Sequence, residues 1–209
     1  MFKSLFSQKT KIKGIIGYLG LEDFWLSCSP EEQKTLTKYY QGGLGSNPGD
    51  SPVKGDIVSS TDTAFKYLSA MFGWAVSEKK YELADKIIKA GNDLPVHEAE
   101  LVDAHFFLQE AAECYYKQRD IRADALALTI EFCLKDIQLF PKYIKPLKKE
   151  IGCIPRITTF QRLAILYEKN KQYEEAINIC RLAIKYDLKD STKGGYPERL
   201  EKLEKKINK

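Results

Sequence analysis

Apolar residues recur at helical spacing along most of the chain. Phe160, Leu163, Ala164 and Tyr167 stand at i, i+3, i+4 and i+7, and Tyr173, Ala176, Ile177, Cys180, Ala183 and Ile184 repeat the stripe. Only Lys169-Asn170-Lys171-Gln172 separates them, so the two predicted helices must fold back on each other as an antiparallel hairpin. A looser hairpin is expected from Asp62–Val76 and Tyr81–Ala90, turning at residues 77–80. Its second helix should stop at Gly91-Asn92-Asp93, ahead of Pro95. A third is expected from Glu98–Lys117 and Ile121–Leu139, with Pro141 marking the end and a short extra helical turn near Pro146. The tryptophan of the looser hairpin, Trp74, lies near Leu68, Met71 and Phe72 and reads as core.

The two ends differ from this middle. Ser29-Pro30-Glu31-Glu32 is a helix start, with Ser29 as N-cap, Pro30 at the first position and Glu32 at the third. That helix should run to about Tyr40. Phe24 and Trp25 precede it and suit docking of the N-terminal segment. Residues 42–52 are rich in Gly, Pro, Ser and Asn and read as a linker or mobile loop. At the other end Pro197 opens a helix over 197–208 with a narrow apolar stripe and a charged remainder, the pattern of a cap on an open stack. No alternating stretch predicts β-sheet. The expected organisation is an N-terminal helical segment over 1–57 and a helical array over 58–209.

Residues 157–190 resemble a tetratricopeptide repeat, whose period is 34 residues. Phe160, the Leu163–Ala164 pair, Tyr167, Tyr173, Ala176, Cys180 and Ala183 fall on its packing positions, while Leu188 stands where the family usually has Pro. Tyr81, Ala84, Ile88 and Gly91 look like a second, degenerate copy. The Gly194-Gly195-Tyr196 segment with Arg199 and Leu200 is similar to segments that follow such repeats in uncharacterised bacterial and phage proteins. The resemblance implies an all-α, α-α superhelix: a right-handed stack of antiparallel hairpins with a C-terminal capping helix. It also implies a groove for a protein or peptide partner, faced by Thr158, Gln161, Ile165 and Glu168. The family's terminal-carboxylate binders carry Lys and Asn on that face; here Gln161 and Ile165 stand instead, so no such clamp is expected.

Composition narrows the chemistry. The 209 residues are 44% hydrophobic and 30% charged, an ordinary globular balance. The net charge of +4 is unevenly spread: residues 1–13 carry +4 and residues 193–209 carry +3, leaving the body at −3. Basic ends keep nucleic acid open as the alternative partner, with Arg156, Arg162, Lys193 and Arg199 as a possible basic patch. Five cysteines without C-x-x-C spacing argue against a zinc ribbon and for a reducing, cytoplasmic compartment. Met1–Leu21 lacks a signal-peptide pattern, and no apolar run nears membrane-spanning length. His97 and His105 lack metal-ligand spacing, and neither a phosphate loop nor a nucleophile turn is present. No catalytic residue, metal or cofactor is therefore assigned. The expectation is a cytoplasmic, non-catalytic adaptor, monomeric or weakly self-associating.

Overall fold

A computed structural model describes residues 12–40 and 51–208. Lys3, Lys9, Lys11 and nearly all of the Gly- and Pro-rich stretch lie outside the described residues. Those described form ten α-helices, one 3-10 turn and no strand. They group into two units that divide between Pro95 and Val96. The contacts thus put the hairpin at 64–93 with the N-terminal helices, a different division from the one expected at residue 57.

The first unit contains α1 (Gly14–Tyr18), α2 (Glu22–Ser27), α3 (Pro30–Tyr39), α4 (Ala64–Ser77) and α5 (Tyr81–Asp93). The α3 start follows its sequence: Ser29 Oγ accepts from the Glu32 N–H, and the Glu32 carboxylate accepts from the Ser29 N–H at 2.6 Å. Burial pushes the Glu32 carboxyl up, but hydrogen bonds from Lys86 and Ser29 outweigh it and hold the group below its ordinary value. Trp25 is buried, as expected of a docking residue. Trp74 is not core. It is 41% exposed and stacks on Tyr39 of α3 at 4.4 Å. The α5 helix runs through Gly91 to Asp93.

The second unit contains a 3-10 turn (Glu98–Glu100), α6 (Leu101–Lys117), α7 (Ala125–Ile151), α8 (Thr158–Lys169), α9 (Tyr173–Lys185) and α10 (Gly195–Ile207). Here the main correction is α7. It is one helix of 27 residues that continues through Pro141 and Pro146 and ends at Gly152, which is left-handed at φ 84°. Each proline removes a backbone donor and costs about 3 kcal/mol in an ordinary helix interior. Phe140, Tyr143 and Leu147 continue the apolar stripe across both prolines and are fully buried. Burial of side chains this large, at about 1.5–3 kcal/mol each, offsets that cost. Phe140 meets Phe160 of α8 edge-on at 5.2 Å and Tyr186 at 4.8 Å.

The hairpins α4–α5 and α8–α9 share one turn. Lys79 and Lys171 are left-handed at φ 58° and 61°, and the next residues, Lys80 and Gln172, have φ −84°, ψ 67° and φ −83°, ψ 67°. The same amides bond back: Lys80 to the Ala75 carbonyl at 2.8 Å, and Gln172 to the Tyr167 carbonyl at 2.9 Å. Tyr81 and Ala84 follow the first turn as Tyr173 and Ala176 follow the second. Ala164, Ala176 and Ala183 are fully buried, while Ile184, read as part of the stripe, is 39% exposed.

Gly73 stands exposed inside α4, its φ is not positive, and a Cβ there would meet nothing within 4 Å. Glycine in a helix interior costs up to about 1 kcal/mol against alanine. Gly73→Ala is expected to raise the unfolding free energy of the chain by about 0.5–1 kcal/mol in urea titrations. A decrease would show that this position needs glycine.

Candidate binding cleft

The polar side of α8 borders an open cleft of about 250 Å³, lined by Tyr116, Arg156, Thr158, Gln161, Arg162 and Ile165. Helical spacing brings Thr158, Gln161, Arg162 and Ile165 to one side of α8, and the end of α6 supplies Tyr116. Three expected groove residues therefore share one cleft. The Thr158 N–H donates to Gln109 Oε1 at 3.3 Å, and Gln161 exchanges hydrogen bonds with Ser191. Arg162 is held by Glu113, and its guanidinium lies 4.0 Å from the Tyr116 ring centre. Arg156 is exposed and has no ion-pair partner among the described residues.

The fourth expected groove residue turns elsewhere. Glu168 accepts from Arg199 at 2.9 Å and from Lys206 at 2.8 Å, tying α8 to α10. Arg199 also stands 3.5 Å from Asp190. The four residues of the possible basic patch are thus not one open surface. Arg156 and Arg162 border the cleft, Arg199 is engaged by carboxylates, and Lys193 is exposed in the loop before α10.

Burial pushes the Glu168 carboxyl up, yet Lys206 and Arg199 outweigh it and leave the group below its ordinary value of 4.5. A carboxyl depressed in the folded state contributes stability above its unfolded pKa and loses it as pH falls through the folded value. Glu168→Gln should therefore lower stability at pH 7 by about 1 kcal/mol. At pH 3 the gap between the variant and the parent should be smaller than at pH 7. Urea midpoints at the two pH values test this, and an equal gap at both would contradict it.

Next to the cleft-facing Thr158, Thr159 points inward to a buried polar cluster. Its hydroxyl donates to Asp136 Oδ2 at 2.5 Å, while His105 Nδ1 lies 2.7 Å from Asp136 Oδ1. His105 stacks on Tyr143 at 4.2 Å. Asp136 is fully buried and His105 is 1% exposed. Burial, with the Asp136 charge behind it, pushes the Tyr143 phenol far up. One carboxylate thereby joins α6, α7 and α8. Sequence reading assigned none of these residues a role; the available signal was a His and an Asp on the apolar stripes of their helices.

Among the described residues no Cys, His, Asp or Glu lines the cleft. Burial pushes the Cys28 thiol up to about 11, Cys133 to about 12 and Cys180 to about 11, which leaves them as small apolar side chains. Among the described residues no three His, Cys, Asp or Glu side chains are grouped to hold a metal ion. Among the same residues no helix is long and apolar enough to cross a membrane.

No family model matches the chain, and no solved structure matches it. An uncharacterised protein of Aquifex aeolicus (strain VF5) is 24% identical over 173 residues, covering 79% of this chain and 81% of that protein.

Proposed function

We propose that the chain is a cytoplasmic, non-catalytic adaptor that holds a protein or peptide segment against the polar side of α8. The observation that carries this reading is the convergence of Tyr116, Arg156, Thr158, Gln161, Arg162 and Ile165 on one cleft. Aromatic and arginine side chains that are pre-oriented by their neighbours favour binding, because little freedom is lost when a partner docks. On this reading the hairpins α6–α7 and α8–α9, with α10 as cap, form a right-handed array of the tetratricopeptide kind. The turn shared by α4–α5 and α8–α9 supports a repeated building block. The alternative, a nucleic-acid partner at the basic residues, is weakened by the carboxylates on Arg162 and Arg199.

The test is site-specific photocrosslinking in the native host, with a benzophenone side chain at position 165 and, as control, at Glu174 on the exposed side of α9. A discrete protein adduct at 165 that survives nuclease and 0.5 M salt, and is absent at 174, is the expected result. Adducts to nucleic acid alone would reverse the reading.

A further inference from the structure

Resting on the reading of the α8 cleft as a peptide site, we infer that its partner segment is acidic and places a carboxylate side chain on Arg156. Arginine is scarce in this chain, six residues against twenty-seven lysines, yet four of the six gather around two neighbouring tyrosines of α6. Arg122 lies 5.1 Å from the Tyr115 ring centre. Arg119 and Arg162 lie 4.5 and 4.0 Å from that of Tyr116. Arg156 lines the cleft beside Arg162 and Tyr116.

Three of these arginines are already matched. Arg122 bonds Asp124 at 2.5 Å, Arg119 stands 3.5 Å from Asp120, and Arg162 is held by Glu113. Lys117 also lies 3.7 Å from Glu113. These pairs leave Arg156 as the cation of this group without a carboxylate partner among the described residues. No Asp or Glu lines the cleft, and Arg156 is its one exposed cation without an ion-pair partner among the described residues. The vacant side of the charge balance is therefore anionic.

The form of the anion follows from the surroundings. Proteins that hold single strands keep aromatic faces open for bases, whereas the Tyr116 ring already carries two guanidinium groups. Three carboxylates in the corner disfavour a continuous phosphate backbone, whose affinity comes from many neutralised phosphates. At about 250 Å³ the cleft falls below the roughly 300–1,000 Å³ of small-molecule pockets. It suits one or two side chains of a segment that continues across the surface. Arg156 supplies a two-pronged donor for a carboxylate, Gln161 an amide, and Ile165 an apolar wall.

Panning a phage library of random twelve-residue peptides against the full chain and against Arg156→Glu tests the inference. Arg156 is exposed, so the substitution leaves the fold intact. The expected result is enrichment of Asp or Glu at one position of the selected peptides, and Lys or Arg at that position with the variant. Synthetic copies of the first set should bind Arg156→Glu about two- to fivefold more weakly, the size of one exposed ion pair. Neutral or basic selections, or unchanged affinity for the variant, would overturn the acidic assignment and leave peptide binding standing. Tighter binding of a twenty-nucleotide single strand than of any selected peptide would overturn it in favour of nucleic acid. A panning that selects nothing overturns it as well, and a missing crosslink at position 165 then removes the adaptor reading too.

Discussion

Asp136→Ala is expected to lower the unfolding free energy of the second unit by about 3–5 kcal/mol. The substitution removes the single acceptor shared by His105 Nδ1 and the Thr159 hydroxyl, and both are left without it inside the protein. A domain is stable by only about 5–15 kcal/mol, so a loss of this size removes a large part of the margin. Asp136→Asn separates charge from geometry. Its amide oxygen can accept from His105 while its NH2 donates to the Thr159 oxygen, so the loss should be less than half as large. Denaturant titrations of the two variants read the difference directly. If Asp136→Ala cost under 1 kcal/mol, the carboxylate would not be the tie between α6, α7 and α8. Because Thr159 is the neighbour of Thr158, the alanine variant should also weaken whatever the cleft binds.

Gly14→Ala is the second large effect, in the first unit. Gly14 is left-handed at φ 61°, and a Cβ there would stand 2.4 Å from the Pro52 carbonyl oxygen and 2.8 Å from the Lys54 nitrogen. Both are backbone atoms and cannot swing aside as a side-chain tip can. The strap over residues 52–55 is bonded to the start of α1: Gly14 N–H to the Gly55 carbonyl at 2.9 Å, and Ile16 N–H to Pro52 at 3.0 Å. Left-handed strain of about 1–2 kcal/mol and displacement of the strap together should cost about 2–4 kcal/mol. Hydrogen exchange provides the reading, because the Gly14-region amides should lose protection in the variant. Retained protection at Ile16 would show that the strap accommodates the methyl.

Local signals were read well from sequence where they act alone. The Ser29 cap, the hairpin at 158–185 and the turn at Lys171 depend on residues a few positions apart, and they stand as expected. Where a local signal competed with packing, packing won. Pro141 read as a stop and Pro146 as the start of a separate short turn, but Phe140, Tyr143 and Leu147 carry α7 past both. Trp74 read as core because apolar residues adjoin it in sequence, whereas its own helical position faces Tyr39. The cleft was half legible. Thr158, Gln161 and Ile165 were placed together by the resemblance to the repeat, and they line one cleft. The partner of Glu168 is 31 residues away on α10, and that of Asp136 is 31 residues away on α6, distances over which spacing carries no information.

The major helix pairings of the second unit run α6 with α7, α7 with α8, α8 with α9 and α9 with α10, each joining elements consecutive along the chain. Closing such contacts demands only short loops, so little chain entropy stands between the unfolded chain and each new pairing. During synthesis from the N-terminus every helix of this unit after α6 emerges beside a neighbour already made. Its last member, α10, needs only the hairpin ahead of it. The unit is therefore arranged to assemble in step with translation, with no helix left waiting for a distant strand of chain to cover its apolar face.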